Sequence, residues 1–121
     1  MMALMRFEGR DLTSYAEPVS ESSKLREGAE YFFVEYVDNE MLIPTVKAVV
    51  FVGRNLEAGD VEQVYFQDVE SYREGLRYSS VANNANATFF AGSERELGHV
   101  FEFDKALDEL MRCALRRGNR S

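Results

Sequence analysis

The chain has 121 residues, with 14 Lys and Arg against 21 Asp and Glu, so its formal net charge is -7. Hydrophobic residues make up 45% and charged residues 29%, which is ordinary for a globular domain and excludes a disordered or collagen-like chain. One domain over residues 1–121 is expected at this length. The polar end Gly118–Ser121 is expected to be a disordered tail.

The first half of the sequence predicts strands. Leu4–Phe7 is a short candidate, and Ala29–Val37 is the strongest one because it is rich in aromatic and β-branched residues. Both faces of Ala29–Val37 are largely apolar, so this strand should be covered on both sides. The cover of the second face is left open between the N-terminal segment, curling of the sheet and another copy of the chain.

A return strand is expected from Met41 to Val52. The polar break at Asp38–Glu40 favours a tight hairpin before it, because Asx residues tolerate left-handed backbone angles. The even positions Leu42 to Val52 are apolar and are expected to face the core. Pro44 cannot donate to a ladder, which places it on an edge or at a bulge.

The second half predicts further strands and then one helix. Strands are expected over Val61–Asp68, Ala87–Ala91 and Gly98–Glu102, with Asp68 capping one helical turn after the first of them. Helical spacing then runs from about Asp104 to Arg117. Its expected inward stripe consists of Phe103, Leu107, Leu110 and Ala114, flanked by Ala106 and Met111.

This order of elements predicts an α+β fold. Strands first, one helix last and no alternating βαβ rhythm favour an antiparallel sheet of five or six strands with the C-terminal helix packed on it. Curling into a half-barrel is left open by the sequence.

The sequence contains few residues of the types that commonly carry catalysis or bind metal ions. His99 is the only histidine and Cys113 the only cysteine, which excludes paired-histidine zinc sites and an intramolecular disulfide. No glycine-rich phosphate loop occurs. The sequence therefore predicts no catalytic residue, no metal site and no cofactor, and it favours a structural role for both His99 and Cys113.

Charge and the termini limit the partners. A lone thiol, the lack of a recognisable signal peptide and the lack of an apolar span favour a cytoplasmic protein without a membrane partner. A net charge of -7 disfavours nucleic acid. The one basic cluster is Arg112, Arg116, Arg117 and Arg120, which the helix dipole explains first and a nucleic-acid patch second.

Besides nucleic-acid binding through that basic cluster, two functions are weighed for this chain. The first is a non-catalytic binding or assembly module, expected to be a homodimer joined through an apolar sheet face, with another protein as a further possible partner. The alternative is a small enzyme or small-ligand binder with a sheet-lined pocket. Its polar groups would come from Tyr36, Tyr65, Arg54 and Glu35.

Overall fold

The computed structural model describes residues 2–7, 16–19, 21–80 and 86–119, which form one six-stranded sheet and a long C-terminal helix. The predicted α+β class is confirmed. The strands are β1 (Met2–Arg6), β2 (Glu30–Tyr36), β3 (Pro44–Arg54), β4 (Gln63–Asp68), β5 (Ala87–Ser93) and β6 (Val100–Phe101), and the helices are α1 (Val69–Arg73) and α2 (Phe103–Gly118).

The sheet is open and mixed. Its strand order is β1-β5-β4-β3-β2-β6, so β1 and β6 lie at the two edges and the sheet does not close into a barrel. Four of the five neighbouring pairs are antiparallel, as predicted, but β1 runs parallel to β5. Because β1 joins the far edge of the sheet beside β5 and forms no hairpin with β2, no tight turn requires it to run antiparallel.

The connection between β2 and β3 is longer than the predicted tight hairpin. The Asp38 carboxylate accepts hydrogen bonds from the backbone N–H groups of Leu42 and Ile43 at 2.8–3.0 Å. Met41 adopts a left-handed φ of 59°. The strand therefore resumes only at Pro44, where a missing N–H is tolerated because it is the first residue of the strand.

Both faces of β2 are covered by the chain itself. On one side, called the core face, Tyr31 and Phe33 pack with the N-terminal residues Val19, Leu25 and Phe7. On the other side, called the helix face, β2 packs under α2 through a cluster that contains Val34, Tyr36, Ala106 and Cys113. Of the three covers left open by the sequence, the N-terminal segment takes the second face of this strand.

The C-terminal end differs in part from expectation. The helix α2 includes Gly118, and Asn119 follows in a turn; residues 120 and 121 of the expected tail lie outside the described residues. In the part of the chain that the structure describes, no helix combines the length and apolar character needed to cross a bilayer.

Phe7 reaches the core face because Gly92 has no side chain. A Cβ built on Gly92 would lie 2.4 Å from the Phe7 ring, and the Phe7 N–H is fixed to the Ala91 carbonyl at 2.9 Å. We expect Gly92→Ala to lower the free energy of unfolding by about 1–3 kcal/mol, measured by urea denaturation, because the ring must shift within a packed core.

The control for this variant is Gly118→Ala. Among the described residues, no atom other than those of the chain neighbours and of the helix's own backbone lies within 4 Å of a Cβ built on Gly118. Alanine is also the better helix former, so this change is expected to leave the stability unchanged or slightly higher. An equal loss in the two variants would contradict the close approach of Phe7 to Gly92.

Candidate functional site

A fully buried carboxylate fixes the rotation of α2 about its own axis. Glu109 has no exposed surface. Its Oε2 accepts a hydrogen bond from the Tyr36 hydroxyl at 2.5 Å and another from Arg116 at 3.1 Å, while its Oε1 accepts from the Ala16 N–H at 2.8 Å. Since the Tyr36 and Ala16 donors come from outside the helix and pack between α2 and β2, α2 must turn this face inward.

The electrostatics of this cluster keep the tyrosine neutral and the arginine charged. Burial, followed by the hydrogen bond to Glu109, raises the pKa of the Tyr36 hydroxyl far above its ordinary value. Burial acts to lower the pKa of the Arg116 guanidinium, but the hydrogen bond to Glu109 outweighs it and the net direction is upward. The cluster is a closed ion pair with a tyrosine donor, not a poised acid or base.

Side chains of α2 also form hydrogen bonds to the connection between β2 and β3. Arg116 Nε donates to the Met41 carbonyl at 3.0 Å, and Arg117 donates to the Leu42 carbonyl at 2.6 Å. The buried Cys113 thiol lies 3.6 Å from the Met41 carbonyl oxygen. These contacts lock the second half of α2 in the orientation that Glu109 sets.

The predicted inward stripe of α2 is therefore wrong for Phe103, Leu107 and Ala114, which are exposed. The residues that point inward are Ala106, Glu109 and Cys113, with Leu110 partly buried beside them. Four large apolar side chains spaced four residues apart lie on the outside, and we call them the outer stripe: Phe103 (63% exposed), Leu107 (50%), Met111 (67%) and Leu115 (69%).

The outer stripe continues onto the helix face of the sheet. The Phe103 ring lies 5.6 Å from the ring of Phe32 in β2. Phe32 is paired with Ala48 in β3, and the next pair on that side joins Val34 to Val46. Ala48 and Val46 are exposed, so the expectation that they face a covered core is wrong. Together these residues extend the outer stripe into a broader apolar surface.

The structure separates the four residues predicted to bind a ligand. Tyr36 is buried under α2, and Glu35 alternates with it and lies on the core face of the same strand. Arg54 ends β3 and lies over the Phe51 ring. Tyr65 pairs with Gly53, nine residues along β3 from the partner of Tyr36, which corresponds to about 30 Å. The four residues therefore do not share one site.

Tyr65 belongs to a separate polar cluster near the other end of β3. Its hydroxyl donates to Asp60 at 2.5 Å, and its ring packs 5.4 Å from the Tyr78 ring. Burial and the hydrogen bond to Asp60 raise the pKa of Tyr65 to about 12. Tyr78 in turn donates to Glu57 at 2.6 Å, so both hydroxyls are already engaged.

A cavity of about 460 Å³ lies beside this cluster. The described residues that line it are Val52, Leu56, Arg77, Tyr78 and Ser79, and none of them is one of the four predicted ligand-binding residues. The volume is suited to a small molecule. The charged group, Arg77, donates to the carbonyls of Tyr72 and Leu76, which ties the guanidinium to its own chain.

His99 lies in the aromatic core, and two of the C-terminal arginines form ion pairs within α2. His99 is 2% exposed between the rings of Phe7 and Phe33, and neither ring nitrogen has a hydrogen-bond partner in the described part of the chain. Arg112 pairs with Asp108 at 3.2 Å, and Arg116 pairs with Glu109; Arg120 lies outside the described residues. Within residues 2–7, 16–19, 21–80 and 86–119, no group of His, Cys, Asp and Glu side chains is arranged to hold a metal ion.

Sequence reasoning missed Glu109. The signal that could have found it is its spacing, because Glu109 shares the face of Ala106, Cys113 and Arg116, and a carboxylate seven residues before an arginine can pair with it across two turns. No protein-family model, no curated protein and no solved structure matches this chain. The functional conclusion therefore depends on the surface of the molecule itself.

Proposed function

We propose that this protein is a non-catalytic assembly module that self-associates through the outer stripe of α2 and the adjoining exposed part of β3. The observation that carries the proposal is the outward rotation of an amphipathic helix, which leaves four large apolar side chains half or more exposed in one row. Such a row is typical of a contact surface, whereas scattered single apolar residues need no explanation.

The outward rotation of α2 supports a contact role because specific buried hydrogen bonds hold the helix in this orientation. A helix with an apolar stripe would normally bury it against its own sheet. Here the buried Glu109 with its partners Tyr36 and Arg116 occupies that position instead. A buried ion pair contributes little net stability compared with an apolar packing of the same volume, so its benefit lies in the orientation that it imposes on the stripe.

The stripe is large enough to drive association. Burying one Leu, Met or Phe side chain completely stabilises by about 1.5–3 kcal/mol. These side chains are 50–69% exposed in one copy, so four of them on each of two copies contribute about 7–15 kcal/mol. This is of the same order as the association cost of about 4–15 kcal/mol. The small-ligand alternative has weaker support, since the cavity is not lined by the residues that suggested it.

The test is the oligomeric state of a variant with charges in the stripe. We expect the full chain to form a reversible dimer in sedimentation velocity over a micromolar concentration series. Leu107→Glu combined with Met111→Glu is expected to raise the dimer dissociation constant by at least about 100-fold, because like charges brought together at an interface cost several kcal/mol.

Val61→Glu is the matched control. Val61 is 74% exposed and lies in the connection between β3 and β4, whereas α2 packs on β2 and β6. Its replacement is therefore expected to leave the dissociation constant unchanged. A wild-type chain that remains monomeric at several hundred micromolar, or a double variant that dimerises as well as the wild type, would refute the proposal.

A further inference from the structure

The charges of α2 are divided between its two halves. Asp104 and Asp108 lie in the first half, together with Glu102 immediately before the helix and with a single basic residue, the partly buried Lys105. The second half carries three basic residues: Arg112, which pairs with Asp108 of the same helix, Arg116, which pairs with Glu109, and Arg117, which donates to the Leu42 carbonyl. The two ends of the outer stripe are therefore flanked by opposite charge.

The stripe is also symmetric about the middle of the helix. Phe103 and Leu107 lie as far before Glu109 as Leu115 and Met111 lie after it. A surface that is symmetric in its apolar residues and opposite in its charges is complementary to a second copy of itself turned end for end. A second copy of this chain therefore fits this surface.

We propose that two copies associate with their α2 helices antiparallel, about a two-fold axis that passes near Glu109. This inference rests on the self-association proposed above and specifies its geometry. Leu107 of one copy then packs against Met111 of the other, and Phe103 packs against Leu115. In addition, the acidic half of each helix faces the basic half of the other, with Asp104 and Asp108 close to Arg112 of the second copy.

A parallel arrangement is disfavoured by the same charges. It would place Asp104 against Asp104 and Arg112 against Arg112, and like charges across an interface are unfavourable. The two arrangements also differ in distance. In the antiparallel pair the two Phe103 positions are separated by about 18 Å along the helix axis, because twelve residues rise by 1.5 Å each, whereas in a parallel pair they lie side by side.

Disulfide trapping separates these geometries. The probes are the full-length variants Phe103→Cys and Leu115→Cys, oxidised singly and as an equimolar mixture, and analysed by non-reducing electrophoresis. We expect the mixture to give at least about tenfold more cross-linked dimer than either variant alone, because a disulfide needs Cα atoms within about 7 Å of each other. The unaltered chain, whose Cys113 is buried, is the control for cross-linking through the native thiol.

Each outcome decides between the two proposals. Efficient cross-linking of Phe103→Cys alone would overturn the antiparallel geometry and leave self-association intact. Reduced variants that sediment as dimers but cross-link in neither form would place the contact elsewhere and also overturn this inference. If the unaltered chain sediments as a monomer, self-association itself fails, which is a separate result from a dimer with another geometry.

Discussion

Replacing Glu109 with alanine is expected to lower the free energy of unfolding by about 3 kcal/mol, because removing one partner of a buried ion pair leaves the others without compensation. The substitution removes the acceptor of three hydrogen bonds, which are donated by the Tyr36 hydroxyl, the Ala16 N–H and the Arg116 guanidinium. The expected loss is at the lower end of the range for such pairs, since the Arg116 side chain is 21% exposed and can turn toward water. Urea denaturation at neutral pH measures it.

Asp108→Ala is the matched control for this prediction. Asp108 is the preceding residue and is also a carboxylate paired with an arginine, but both members of that pair are exposed, and such pairs contribute at most about 1 kcal/mol. Equal losses in Glu109→Ala and Asp108→Ala would show that the buried cluster does not hold the helix, and the argument for its outward stripe would then fail.

Lowering the pH from 7 to 5 is expected to reduce the free energy of unfolding by about 2 kcal/mol through the protonation of His99 alone. Burial lowers the pKa of His99 from 6.5 to about 4, since its imidazole lies between the aromatic rings of Phe7 and Phe33. Between pH 6.5 and pH 4, the His99 imidazole is protonated in the unfolded chain but remains neutral in the folded chain. Stability is therefore fully present above pH 6.5 and is lost progressively as the pH falls toward 4.

The measurement is urea denaturation of the wild type and of His99→Leu at pH 7 and pH 5. The variant is expected to lose this component of the pH dependence, whatever its stability at pH 7. The interval lies above the ordinary pKa values of Asp and Glu, so carboxylates contribute little to the difference. A wild type and a variant with the same slope between the two pH values would contradict the burial of a neutral imidazole.

The local elements of the fold were predictable from the sequence. The aromatic and β-branched composition of β2, the alternation in β4 and the helical spacing of α2 are properties of short segments, and each element is present close to its predicted bounds. The parallel direction of β1 was not predictable, because a five-residue strand carries no mark of the strand beside which it will lie.

The candidate site depends on contacts that no short segment encodes. The apolar positions of α2 span a wide arc, and both Ala106 with Cys113 and Phe103 with Leu107 are compatible with the inward side. Which part of the arc faces the sheet is decided by Tyr36, 73 residues before Glu109. Likewise, the distance between Tyr36 and Tyr65 follows from strand order and register, not from composition.

The pairing of β1 with β5 has a consequence during synthesis. Met2 pairs with Ala87, 85 residues later in the chain, so at about 5–20 residues per second the first strand waits roughly 4–17 s on the ribosome for its neighbour. Until then Phe7 cannot pack over Gly92, and the aromatic rings of Phe33 and Phe66 that it contacts remain exposed to water. We therefore expect the nascent chain to keep this apolar surface exposed until translation has passed β5.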